Sequence, residues 1–177
     1  MCFTMHVHLA FAGKWLDPTL NMIKAIPDAI DRVVLFYSIS EKGEYEKTAR
    51  DLTKILREMG YECESRPIKK PFKFLNIVDT IYAVYEECYE DDKDAKFSVD
   101  ITNGTNLMSA AACNTAFFIN SSVYYLLDRR MFPDKPLKDL LVPIPSPRIP
   151  NIRRLGDLSI KILRFIRSEE RRVGKEC

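Results

Sequence analysis

FSVDITNGTNLMSAAA, residues 97–112, passes from a β-prone stretch through a polar glycine turn into a run of small residues. Phe97–Thr102 is β-prone and predicts a strand. Asn103-Gly104-Thr105 then supplies a polar turn, and Asn106–Ile119, rich in small residues, predicts a helix. A strand passing through a short glycine turn into a helix is half of a βαβ unit. Its turn lies at the strand's carboxyl end, where open α/β sheets bind ligands.

Working outward, the same alternation recurs. Met5–Phe11 (MHVHLAF) predicts a first strand, ending at Ala12-Gly13-Lys14. Asp17-Pro18 reads as an N-cap followed by proline at the first helical position, opening a helix to about Ala25. Arg32–Ser38 is a continuous apolar run, as expected of a strand covered on both faces. Between Gly43 and Gly60, Ala49, Leu52, Ile55, Leu56 and Met59 recur at helical spacing. Tyr61–Ile68 predicts a third strand. Phe74–Tyr89 predicts a helix with Leu75, Val78, Ile81, Tyr82 and Tyr85 as its buried stripe, and Ser122–Asp128 a fifth strand. Strands alternating with long helices imply an α/β domain of Rossmann-like type: a doubly wound, mainly parallel sheet with helices on both faces.

Bulk properties narrow the function classes. The 177 residues suit one domain with a real core, and 46% hydrophobic with 29% charged residues is a globular balance. The formal charge of +2 makes no electrostatic case for wrapping nucleic acid. The longest apolar runs are too short to span a bilayer, and the N-terminus does not read as a signal peptide, so no membrane partner and a cytoplasmic protein are expected. Cys2, Cys63, Cys88, Cys113 and Cys177 form no CxxC pair, which argues for reduced thiols and against a zinc site. His6 and His8 alternate on one strand, so both point to one face and read as strand residues rather than metal ligands.

Beyond Asp128 the character changes. The expected domain boundaries are a Rossmann-like domain over 1–142, a proline-rich linker over 143–154, and the first helix of a truncated second domain over 155–166. The last eleven residues, RSEERRVGKEC from Arg167 to Cys177, match the in-frame translation of a common sequencing-library adapter. They are read as an assembly artefact and left out of fold reasoning. Without them the net charge is about +1, and the natural protein is expected to continue past Ile166.

Two loops could carry chemistry. In the first, Gly104 permits close backbone approach, and Thr102, Asn103, Thr105 and Asn106 offer short polar groups ahead of Met108. The N–H groups opening the following helix add partial positive charge suited to phosphate. In the second, Phe11-Ala-Gly13-Lys14-Trp15, the glycine permits a tight turn, the lysine a phosphate contact and the indole a stacked base. Ser38 and Ser40 fall at the same sheet edge. Neither GxGxxG nor GxxxxGK[ST] occurs, which removes the usual signatures of dinucleotide cofactors and NTPases; no cofactor, metal or catalytic residue is assigned.

Over about Met5–Asp128 these features resemble the CARF (CRISPR-associated Rossmann fold) domain, whose loop after the fourth strand often reads T-G-G-T/R-K-x-M. Thr102, Gly104, Thr105 and Met108 match; Asn103 replaces the first glycine and Asn106 the usual basic residue. The resemblance implies a homodimer binding a cyclic oligoadenylate across its two-fold axis. The symmetry argument agrees, because a ring of four or six identical nucleotides has its own two-fold and can meet the same loops twice. The proline-rich join to LGDLSIKILRFI resembles that of CARF regulators with a winged-helix domain, implying DNA as a partner of a missing C-terminal domain. Some CARF domains cleave their ligand as ring nucleases, which is the enzymatic alternative. An unrelated Rossmann-like nucleotide-binding domain is the third reading.

Overall fold

Alternating apolar runs and amphipathic helices order the chain of this computed structural model, which describes residues 4–145, into a six-stranded sheet. The strands are β1 (His6–Phe11), β2 (Arg32–Ser38), β3 (Glu62–Ile68), β4 (Lys96–Asp100), β5 (Ser122–Leu126) and β6 (Leu141–Ile144). The helices are α1 (Asp17–Ala25), α2 (Glu44–Glu58), α3 (Phe74–Asp91) and α4 (Asn106–Phe118). The sheet order is β3-β2-β1-β4-β5-β6; the first five strands are parallel and β6 pairs antiparallel with β5. This is the expected Rossmann-like α/β architecture. Strand order reverses between β1 and β4, the switch point of such a sheet.

The continuous apolar run of β2 reflects burial on both faces. Val34 and Phe36 join Leu9, Phe11, Ile77, Ile81 and Met108 on one side, under α3 and α4. Val33 and Leu35 join Ala10, Leu52 and Leu56 on the other, where α2 packs. Removing most of a side chain such as Leu35, which is fully buried, costs about 2–5 kcal/mol. On that same second side α1 lays Met22, Ala25 and Ile26 against Leu126 and Leu140.

Four local expectations need correction. The residue capping α1 is Leu16, with no side-chain cap bond, and Asp17 falls within the first turn. The α3 stripe is rotated: Ile77, Ile81, Val84, Tyr85 and Cys88 are buried, whereas Leu75 is 71% exposed. On α2, Met59 is exposed beyond the helix end and Ile55 is only half-buried. At the start of the stretch expected as linker over 143–154, Pro143 and Ile144 lie instead in strand β6, paired to β5, with Pro143 tolerated on a sheet edge. Pro145 is exposed just after β6, whereas Pro147, Pro150, the helix expected at 155–166 and the tail from Arg167 lie outside the described residues, as do Cys2 and Cys177. Among the described residues no helix is long and apolar enough to cross a membrane, and no group of three His, Cys, Asp or Glu could hold a metal ion.

Candidate functional site at the sheet switch point

Parallel strands all end at one sheet edge, so the loops after β1, β2 and β4 meet there. The loop after β1 begins with Ala12, whose N–H donates to the Phe36 carbonyl at 2.8 Å and holds the chain against β2. Gly13 follows, and only its missing side chain lets the next loop approach. A Cβ on Gly13 would lie 3.1 Å from Asn103 Oδ1, tighter than ordinary van der Waals contact. Asn103 in turn donates from Nδ2 to Thr19 Oγ1 at 3.0 Å, inside α1. The two loops are therefore braced together through an amide. Thr19 is fully buried; as an unremarkable helix residue it gave no sequence signal of this role.

The loop after β4 is pinned at both ends. The Thr102 N–H donates to Asp100 Oδ1 at 2.7 Å, and Thr102 Oγ1 accepts from the Leu126 N–H at 2.8 Å. Gly104 has φ +95°, where a Cβ is strained, and that Cβ would also stand 3.3 Å from Met108 Cβ and 3.4 Å from the Phe11 ring. Thr105 then caps α4, its Oγ1 accepting from the Met108 N–H at 3.2 Å. The other N–H groups of the α4 first turn have no intrahelical acceptor, so the helix end carries partial positive charge.

The expected site residues thus divide by depth. Gly104, Thr105 and Asn106 are exposed at the mouth of the crevice, with Lys14 and Trp15. Lys14 Nζ lies 5.3 Å from the Trp15 ring centroid, so cation and indole form a pair on the lip. Gly13 is buried, Thr102 and Asn103 are half-buried, and their side chains brace the loops. Phe11 and Met108, 1% and 2% exposed, form the floor. Ser38 is half-buried and donates to Met108 Sδ at 3.6 Å. Ser40, further along the loop after β2, has a buried hydroxyl.

Beneath the crevice, on the face that carries α1, runs a buried polar ladder that sequence reading did not assign. His6 Nδ1 lies 2.8 Å from the Ala29 carbonyl, and His6 Nε2 and His8 Nδ1 lie 2.9 and 2.8 Å from Ser98 Oγ. A carbonyl only accepts, so His6 donates from Nδ1, and in that tautomer its Nε2 accepts from the Ser98 hydroxyl. That hydroxyl accepts in turn from His8 Nδ1–H. Burial, with His6 adding to it, pushes the His8 pKa down to about 3, so His8 is neutral and its Nε2 presents a lone pair. One step along β4, burial raises the Asp100 pKa to about 6 despite the bonds from Thr102. Both histidines are strand residues on one face, as expected. The ladder itself had no signal, because alternating polar residues in a strand ordinarily face water.

The sequence matches no family model and no curated protein. Solved structures do share its fold. Csm6 from Enterococcus italicus, bound to cyclic hexa-2′-fluoro-hexa-dAMP, matches 80% of this chain with a TM-score of 0.64 and 16% identity. VC1899 from Vibrio cholerae matches 70% of it with a TM-score of 0.54 and 10% identity. Can2 from Sulfobacillus thermosulfidooxidans, in complex with cyclic tetra-adenylate, matches 69% with a TM-score of 0.51 and 16% identity. The chain spans 31–41% of the length of these three proteins. It is therefore a Rossmann-like α/β domain of the kind these longer proteins contain, and at such identities the likeness extends to the fold.

Proposed function

We propose that the chain is a CARF-type sensor domain that binds a cyclic oligoadenylate at the crevice between its β1 and β4 loops. The observation that carries this reading is the meeting of two glycine loops at the switch point, with the α4 N-terminus opening into the same place. Backbone N–H groups there suit phosphate, and the Lys14–Trp15 pair supplies a cation and a stacking face. Two proteins of the same fold, Csm6 and Can2, are bound to a cyclic hexanucleotide and to cyclic tetra-adenylate. In this reading a homodimer offers the crevice twice to a two-fold ligand. A C-terminal DNA-binding domain that reads out the ligand is the finer proposal, resting on the resemblance of the segment after Pro150.

Sensing is favoured over ring cleavage because both histidines are buried beneath the crevice, leaving no imidazole at its mouth. The test is calorimetric titration of the full chain with cyclic tetra- and hexa-adenylate, with chromatography of the ligand afterwards. Saturable binding of intact ligand supports the sensor. Linear products would support the nuclease, and no binding at micromolar ligand would refute both.

A further inference from the structure

Asp100 joins the ligand loop to the buried layer beneath it. Its Oδ1 accepts the Thr102 N–H at the root of the loop. Its Oδ2 is buried with no hydrogen-bond partner, and so is His8 Nε2 on the neighbouring strand. His8 pairs with Ser98 in the β1–β4 register, and Asp100 follows Ser98 by two residues, so the two side chains share the face under α1. A carboxylate without a partner for one oxygen is costly in such a place, whereas a neutral carboxyl leaves no unpaired charge there. The surroundings contribute little other charge. β1 adds His6, β4 Ser98 and β5 the half-buried Tyr124. From α1 the buried polar group is Thr19, while Asp17 and Lys24 are exposed. The loop itself adds Thr102 and Asn103.

We propose that Asp100 is the positioning residue of the Thr102–Asn106 loop and that one buried proton on its carboxyl sets the charge directly beneath that loop. The proposal rests on the ligand reading only for its consequence. With Asp100 neutral, the Thr102 N–H keeps its acceptor and the layer holds no charge. With Asp100 ionised, a negative charge lies directly below a loop that would face phosphate. An anionic ligand therefore binds more weakly as pH rises through the titration, and its phosphodiesters do not titrate in that range. Burial, which raises the carboxyl pKa to about 6, places the change within reach of ordinary conditions.

The experiment follows the Thr102 and Gly104 amide signals of the full, ligand-free chain by NMR from pH 4.5 to 8. Both are expected to titrate together as a single proton with a midpoint near 6. In Asp100→Asn, whose amide imitates the neutral acid, they are expected to stay flat at the low-pH position. Flat wild-type signals or an unchanged titration in Asp100→Asn would each overturn the proposal. Titration with cyclic tetra-adenylate then shows an affinity several-fold weaker at pH 7.5 than at 5.5 in wild type and equal in Asp100→Asn. Complete absence of binding alongside the expected loop titration would count against the ligand reading alone.

Discussion

Gly13 and Asn103 are in contact across the sheet switch point: a Cβ added to the glycine would stand 3.1 Å from the asparagine Oδ1. The same asparagine donates to Thr19 Oγ1, so one side chain ties the loop after β1, the loop after β4 and the first helix together. The crevice is thus preorganised, and its rim is exposed at Lys14, Thr105 and Asn106.

Removing the brace should loosen the loops without unfolding the sheet. Asn103→Ala is expected to cost about 1 kcal/mol, the usual net worth of one hydrogen bond. Thr19→Val should cost a similar amount. The double variant should cost clearly less than the sum of the two, because each single change removes the same bond. Urea unfolding of the four proteins measures this, and strict additivity would show that the brace contributes nothing.

Two glycines with the same φ of +95° separate backbone strain from site geometry. An added Cβ meets nothing at Gly60 but crowds Met108 and Phe11 at Gly104. Gly60→Ala should lower stability by about 1 kcal/mol and leave ligand affinity unchanged. Gly104→Val adds bulk where backbone approach is required and is expected to abolish binding while the circular dichroism spectrum stays native. Equal effects of the two changes on affinity would contradict the assignment of the crevice.

Much of this framework is legible in the sequence. β2, Arg32–Ser38, brackets the apolar run Val33–Tyr37, because a strand covered on both faces favours apolar residues at successive positions. The α4 cap at Thr105 and the turn at Gly104 follow from residue types that only a few conformations suit. Elsewhere tertiary packing decides. α3 carries apolar residues on more than one side, so spacing alone does not show that Ile77 and Cys88 face the sheet while Leu75 faces water. β6 is four residues with a proline and exists through its pairing with β5. Asp100, within the loop motif, becomes significant only because the fold buries it completely.

Asn106 is the position at which the loop departs most from the family it resembles. Asn106→Lys restores a cation beside the proposed phosphate path and should tighten binding, with affinity falling more steeply as salt is raised. A positive charge at the first turn of α4 opposes the helix dipole, so stability should drop by about 0.3–1 kcal/mol. Calorimetry at two salt concentrations, paired with thermal melts, checks both signs.

The buried ladder makes opposing contributions to stability against pH. Asp100, raised from 3.8 to about 6, favours the fold fully below pH 4 and loses roughly 3 kcal/mol as pH rises to 6. His8, lowered from 6.5 to about 3, contributes stability above pH 6.5 that is lost as pH falls toward 3. Between pH 4 and 6 the two slopes nearly cancel. Relative to wild type, Asp100→Asn should gain a slope of about +1.4 kcal/mol per pH unit there, and His8→Leu a slope of about −1.4. Urea denaturation across pH 4 to 7 measures both, and variants that parallel wild type would rule out these titrations.

The most direct test of the crevice as a ligand site is the response of its glycine amides to cyclic tetra-adenylate in a two-dimensional NMR titration. Gly13 and Gly104 lie in the two loops, whereas Gly43 and Gly60 flank α2. The Gly13, Gly104 and Asn106 amides are expected to shift and saturate together while Gly43 and Gly60 stay fixed. Saturable binding that leaves Gly13 and Gly104 unmoved would contradict the crevice as the ligand site.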